Sequence, residues 1–315
     1  MRVAVLGPGG VGGLVAGALA RADTPMSADT SVSAGISVSV VARESTAQVL
    51  NEQGLRVSSV SLGEFTAHPR AVARLEEPVD VLVVATKATG LASALERVAA
   101  APELVLPLLN GLDHVAALRE RFAPATVVAG TIRVEADRPQ PGVVVHSSPF
   151  LRIDMASRFP SAAAPMRALA QTLTDAGIPA RAHEPISARA EAQVMWSKLV
   201  RLNALACTTS AFDELLGEIR TTPALRAELL GAIEEGCAVA RAEGAAIEPG
   251  DALRELTDAH ATLGSSMQRD IAAGRPLELD AIPGAVLRAG ARHGIACPTI
   301  EGLVETIAAR AGVAA

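Results

Sequence analysis

The chain has 315 residues, half of them hydrophobic and a fifth charged, enough for two buried cores rather than one. A formal charge of −6, with five Phe, one Trp and no Tyr, excludes the basic surface and the stacking platforms of a nucleic-acid binder, and it gives an acidic membrane nothing to attract. Cys207, Cys237 and Cys297 are odd in number and far apart, as expected of small buried thiols in a reducing compartment rather than of a disulfide framework.

Met1 to Leu6 reads as a buried strand, which leaves no room for a secretory leader, and no apolar run is long enough to span a bilayer. The expectation is a cytoplasmic protein. Gly7-Pro8-Gly9-Gly10-Val11-Gly12-Gly13 follows at once, then a small-residue helix carrying Leu14, Val15, Ala18 and Leu19. Ala22 to Gly35 is small, polar and turn-rich and predicts a long flexible loop. A second strand runs from Ile36 to Val41 and leads to Arg43. Val79 to Ala85 is a third, its apolar run from Val81 typical of a parallel strand buried on both faces. Leu104 to Leu109 is a fourth and ends at Asn110-Gly111. Val127 to Glu135 and Val143 to Ser147 read as strands joined by a turn at Pro139-Gln140-Pro141-Gly142, with Leu151 to Met155 pairing beside them.

Beyond His183-Glu184-Pro185 strand patterns cease. Helical patterns cover 186–206, 223–244, 250–273 and 278–293, and a last helix starts near Ile300, with Pro185 suited to a helix's first turn. Strands alternating with helices, then helices alone, predict an α/β chain. A doubly wound, mostly parallel sheet with antiparallel additions at its far edge spans 1–184, and an all-α domain spans 185–315.

Gly7, Gly9 and Gly12 give G-x-G-x-x-G directly after a strand and at the start of a helix. That context lets backbone approach a pyrophosphate, whose charge rests on the helix N-terminus, so Gly7, Gly9, Gly10, Val11 and Gly12 are candidate dinucleotide contacts. The end of the second strand, where an acid would hold the ribose of NAD, carries Arg43 instead. A guanidinium there suits a 2′-phosphate and favours NADPH, and a solvated Arg43-Glu44 pair is the plainer alternative.

Of 28 basic residues only Lys87 and Lys198 are lysine. An ammonium can give up a proton where a guanidinium cannot, so these two positions are candidates for chemistry. Lys87 follows the third strand at the carboxyl edge of the sheet, and Asn110 has the same address on the fourth. Lys198 lies in Val194-Met195-Trp196-Ser197-Lys198-Leu199, and on a helix it shares a face with Val194, Met195 and Leu202. Partial desolvation there would lower its pKa, unless it snorkels to water. Ser265-Ser266-Met267 and Glu278-Leu279-Asp280 place hydroxyls and carboxylates on two helical segments, readable in isolation as caps and solvated charges. No His, Cys, Asp and Glu cluster has metal-ligand spacing.

With these residues in view, the chain resembles the ketopantoate (2-dehydropantoate) reductase family nearly end to end. The resemblance rests on Gly7-Pro8-Gly9-Gly10-Val11-Gly12, Lys87, Asn110-Gly111-Leu112, Trp196-Ser197-Lys198-Leu199, Gly217-Glu218-Ile219, Ser265-Ser266-Met267-Gln268-Arg269-Asp270, Leu277-Glu278-Leu279-Asp280 and His293-Gly294-Ile295-Ala296-Cys297-Pro298. It implies a Rossmann domain followed by a helical one, and NADPH-dependent reduction of a 2-keto acid, 2-dehydropantoate to pantoate on the route to pantothenate and coenzyme A. In that likeness Lys198 matches the general acid, Lys87 and Asn110 the polar groups beside cofactor and substrate, and Ser266 and Glu278 the substrate contacts, Glu278 at the catalytic centre. Where the family usually has asparagines one and two helical turns after the lysine, this chain has Leu202 and Ala206. Asn203 stands one residue out of phase as a candidate substrate contact, and a more apolar 2-keto acid comes into range. A β-hydroxyacid-type dehydrogenase and a non-catalytic NADPH-sensing protein are the alternatives. The apolar second-domain helices are as compatible with a homodimer as with a monomeric core.

Overall fold

The computed structural model describes residues 1–22 and 35–313; the loop expected between Ala22 and Gly35 lies, apart from those two residues, outside them. The chain divides into two compact units, one of Met1–Leu109 and His114–Glu191, the other of Asn110–Asp113 and Ala192–Ala315.

The first unit runs β1 (Arg2–Leu6), α1 (Gly10–Ala22), β2 (Ser37–Val41), α2 (Glu44–Gln53), β3 (Leu55–Ser59), β4 (Gly63–Ala67), β5 (Arg70–Val72) and β6 (Val81–Val84). It continues with α3 (Leu91–Leu95), β7 (Leu104–Pro107), α4 (His114–Arg121), β8 (Ala129–Arg133), β9 (Ala136–Gln140), β10 (Val143–His146), β11 (Arg152–Ala156), α5 (Ala163–Asp175) and β12 (Ala180–Ala182). A five-stranded parallel sheet has the order β5-β2-β1-β6-β7. Its strands are Val- and Leu-rich because helices and loops cover both faces, and every residue of β6 and β7 is buried. Leu6 lies opposite both Val41 and Val84, so the chain leaves β1, β2 and β6 at one level. The strand order reverses at β1, which places the topological switch point, the ligand-binding crevice of such sheets, at the turn after Leu6.

The remaining strands correct the expected edge additions. The strand within 127–135 does not pair with the one within 143–147, although the two segments meet where the Ser147 amide donates to the Glu135 oxygen at 3.0 Å. β8 pairs antiparallel with β11, which is flanked by β12, while β10 pairs with β9 and, in parallel, with β3 to give the sheet β4-β3-β10-β9. An isolated bridge, Val105 to Val127, continues the large sheet at its far edge. Pro139 lies within β9 rather than in a turn, which is tolerable because β9 is an edge strand and proline there costs no ladder donor.

The helices that follow are α6 (Ala188–Phe212), α7 (Leu216–Thr221), α8 (Pro223–Ala242), α9 (Pro249–Asp258), α10 (Ser266–Ala272), α11 (Pro283–Arg292) and α12 (Pro298–Ala311). Their core gathers Trp196, Val200, Ile233, Val239, Leu256 and Ile300, all at most 2% exposed. Pro185 precedes α6 at a cis Glu184–Pro185 peptide. The helix starts at Ala188, with Ser187 Oγ accepting from the Ala190 amide at 3.1 Å. By packing, the first turn of α6 goes with the first unit, where Arg119 and Arg158 both bind the buried Glu191 carboxylate at 2.6 Å. The pattern expected over 250–273 breaks into α9 and α10. Among the described residues, no helix is long and apolar enough to cross a membrane.

Candidate active site

In the first unit the turn after β1 is closed by backbone alone. Gly7 sits at φ +92°, and its carbonyl accepts from the Gly9 amide at 2.8 Å. A Cβ on Gly12 would stand 2.2 Å from the Gly7 oxygen, and one on Gly10 would stand 2.2 Å from the Ala136 oxygen, so neither position admits a side chain. Gly9 differs: among the described residues, nothing lies within 4 Å of its Cβ position. Beside the turn, the buried hydroxyl of Thr86 has no hydrogen-bond partner among the described residues. Open space at Gly9, the start of α1 at Gly10 with Val11 in its first turn, and an unsatisfied hydroxyl together fit the pyrophosphate of a dinucleotide.

Arg43 is exposed at the N-cap of α2, just past β2. The carboxyl of Glu44 is directed to Arg97 at 3.2 Å. Its own backbone amide, and then that guanidinium, hold it below the usual carboxylate range. Glu44 thus has a cation of its own other than Arg43. Lys87 is exposed at the N-cap of the short turn Ala88–Gly90 after β6, on the edge shared with the glycine turn.

In the second unit three predicted residues come together. Lys198, on α6, is 9% exposed, and its ammonium donates to Asn110 Oδ1 at 2.8 Å. Asn110 Nδ2 in turn donates to Glu278 Oε2 at 3.0 Å, and that carboxylate is 7% exposed. A cation on one side and an anion on the other fix which way the amide points. Val194 and Met195, 5% and 7% exposed, and half-buried Leu202 share the face of α6 that carries Lys198. The loop bearing Asn110 is brought close by Gly111, at φ +84°, where a Cβ would lie 2.0 Å from the Ala281 oxygen.

Glu278 is not on a helix, contrary to expectation. Pro283 is fitted to the first turn of a helix and not to its interior, so α11 begins there, five residues later than expected, and Glu278 precedes it with its backbone oxygen accepting from the Ile282 amide at 2.9 Å. Ser266 is exposed as the first residue of α10. The buried hydroxyl is that of Ser265, which caps α10 through the Gln268 amide at 3.0 Å and accepts from Thr209 Oγ1 at 2.9 Å. The Ser265-x-x-Gln268 spacing is a helix-start signal that the sequence carries. Asn203 is fully buried; its Oδ1 accepts from Cys207 Sγ at 3.4 Å, and its Nδ2 has no partner among the described residues. Five residues beyond Lys198, it lies about 140° around the helix, so the structure does not bring it to the face of the lysine. Cys207 is a free thiol that burial pushes up to about 12, and the free, buried Cys237 and Cys297 reach about 11. Among the described residues no group of His, Cys, Asp and Glu could hold a metal ion.

The family profile described as "Ketopantoate reductase PanE/ApbA" matches residues 3–156, and "Ketopantoate reductase PanE/ApbA C terminal" matches residues 192–311. The 2-dehydropantoate 2-reductase of Mycobacterium tuberculosis is 31% identical over 319 residues, covering 98% of this chain and 97% of that protein. The crystal structure of 2-dehydropantoate 2-reductase from Geobacter metallireducens aligns with a TM-score of 0.84 at 26% identity, over 98% of this chain and 99% of that one. The ternary structure of D-mandelate dehydrogenase with NADH and anilino(oxo)acetate shares the fold, with a TM-score of 0.83 at 21% identity over 99% of each chain. The chain belongs to the ketopantoate reductase family of NAD(P)-dependent oxidoreductases.

Proposed function

We propose that the chain uses NADPH to reduce a 2-keto acid to the 2-hydroxy acid, with 2-dehydropantoate as substrate. The observation that carries this reading is the series Lys198, Asn110, Glu278, a buried ammonium and a buried carboxylate joined through one half-buried amide. The dinucleotide, when bound, supplies the hydride that adds to the C2 carbonyl. That addition leaves negative charge on the carbonyl oxygen, and a desolvated ammonium can both stabilise it and protonate it. An arginine could do only the first. Asn110 fixes the direction of one N–H of Lys198, and Glu278, on the far side of the amide, supplies the counter-charge that favours the protonated amine before transfer. Ser266 is assigned to the substrate.

The glycine turn is assigned to the pyrophosphate, Arg43 to the 2′-phosphate, and Lys87 to the cofactor and substrate side of the sheet edge. The engagement of Glu44 by Arg97 supports the Arg43 assignment, because it gives the neighbouring negative charge a partner of its own.

The test is NADPH consumption with 2-dehydropantoate and a panel of other 2-keto acids. Turnover of at least one is expected, and Lys198→Ala should lower kcat by ~10²–10⁴ while NADPH still binds. An idle panel, or a Lys198→Ala variant retaining most of its activity, would overturn the reading.

A further inference from the structure

The functional trio leaves unexplained how Asn110, on a four-residue segment that returns to the main body of the first unit at His114, is kept between Lys198 and Glu278. The answer lies on α11. The Arg288 guanidinium donates through Nη1 to Asp280 Oδ1 at 2.5 Å, and through Nη2 both to the Asp280 carbonyl at 2.8 Å and to Asp113 Oδ2 at 2.5 Å. Asp113 comes three residues after Asn110, and Asp280 two residues after Glu278, so one planar fork ties the two site-bearing segments together. The fork has room because residue 284 is glycine, where a Cβ would stand 3.1 Å from Arg288 Nη1. The segments also touch directly at Gly111 and Ala281, and the turn is pinned by the Gly284 amide on the Leu279 oxygen at 2.9 Å.

We propose that Arg288 is a positioning residue for this site: by bridging Asp113 to Asp280 it holds Asn110 in register between Lys198 and Glu278. The proposal rests on the reading of that trio as the reacting centre. The three side chains of the clamp are 42% (Arg288), 59% (Asp113) and 90% (Asp280) exposed, so the ion pairs contribute little to overall stability, and their effect is on geometry. A small displacement of a catalytic group costs far more in rate than in stability.

The chain's two lysines allow a test at the site itself, since full-length protein labelled with 13C-lysine gives one resonance for Lys87 and one for Lys198. In Arg288→Ala, the Lys198 13Cε resonance should move while that of Lys87 stays. The melting temperature should fall by no more than about 3 °C. With the 2-keto acid that the wild type reduces, kcat should drop about tenfold or more at unchanged KM for NADPH. Asp113→Asn should move the same lysine resonance and add little to Arg288→Ala, whereas Arg288→Lys, lacking the fork, should restore only part of kcat. An unmoved Lys198 resonance in both Arg288→Ala and Asp113→Asn overturns the clamp, as does a general loss in which both lysine signals shift and the protein melts far lower. If the wild type reduces no 2-keto acid, it is the functional reading that fails, and the lysine resonances still decide whether the clamp exists.

Discussion

Lys198 and Asn110 stand 88 residues apart in the chain and are joined by a 2.8 Å hydrogen bond from ammonium to amide oxygen. The same amide reaches Glu278 across 168 residues. Hydrogen bonds to charged groups are typically worth about 1.5–3 kcal/mol, so this bridge constrains all three side chains. Asn110→Leu keeps the approximate volume and removes both bonds. Its kcat for keto-acid reduction should fall by ~10²-fold with NADPH affinity little changed, as steady-state kinetics beside a fluorescence titration of NADPH would report. A variant that loses only NADPH affinity would move Asn110 to the cofactor side alone.

The glycine turn offers a paired comparison. Gly9→Ala points its methyl into open space and should leave the melting temperature within about 2 °C of wild type. It should weaken NADPH binding about tenfold, because that space is where the pyrophosphate is assigned. Gly12→Ala, 2.2 Å from the Gly7 oxygen, should instead destabilise the fold by about 1–3 kcal/mol. Equal effects of the two on binding and stability would contradict the division.

Arg43→Ala should raise KM for NADPH about tenfold or more and leave KM for NADH nearly unchanged, since a charge-assisted contact to a 2′-phosphate is absent from NADH. Kinetics with both dinucleotides checks this, and equal changes for the two would reject the phosphate contact.

His146 predicts a pH dependence of stability. Its ring lies between Ser59 Oγ at 2.7 Å and Ser148 Oγ at 3.2 Å, and burial pushes its pKa below the usual imidazole range. The unfolded chain therefore takes up this proton first. Stability is fully present above about pH 6.5 and is lost as pH falls below it. The Asp80 and Asp213 carboxyls, held low by hydrogen bonds, first from the Arg2 backbone amide and from the Arg310 guanidinium respectively, make their losses only below about pH 4. The urea midpoint should thus be lower at pH 5 than at pH 7.5, and the difference should shrink in His146→Gln. An identical difference in both proteins would assign the effect elsewhere.

Four strands of the parallel sheet were legible, the central ones as short unbroken apolar runs such as Val81–Val84, and the dinucleotide turn because glycine spacing is local; β5, only Arg70–Val72, is too short to leave a pattern. Lys198 was legible through composition, as one of two lysines against a background of arginine. The sheet β4-β3-β10-β9 was not, since its key pairing sets Val57 beside Val144 across a long stretch of chain, and Pro139 disguised an edge strand as a turn. The partnership of Asn110 with Glu278 has no local signature for the same reason, and Glu278 escaped its expected helix because Pro283, five residues on, sets the helix start. Asn203, one place out of phase with its expected position, turned out to face the core and Cys207.

Gly111 sets its backbone against that of Ala281 so closely that a single added carbon has nowhere to go. For this chain, position 111 has an alphabet of one letter, and every spontaneous point mutation there that changes the residue disturbs the segment of Asn110 without touching the side chains of Lys198, Asn110 or Glu278. Gly302 on α12, with nothing within 4 Å of its Cβ position among the described residues, has no such limit. Two glycines that look alike in the text of the sequence therefore carry unequal mutational loads, and the fragile one stands next to Asn110.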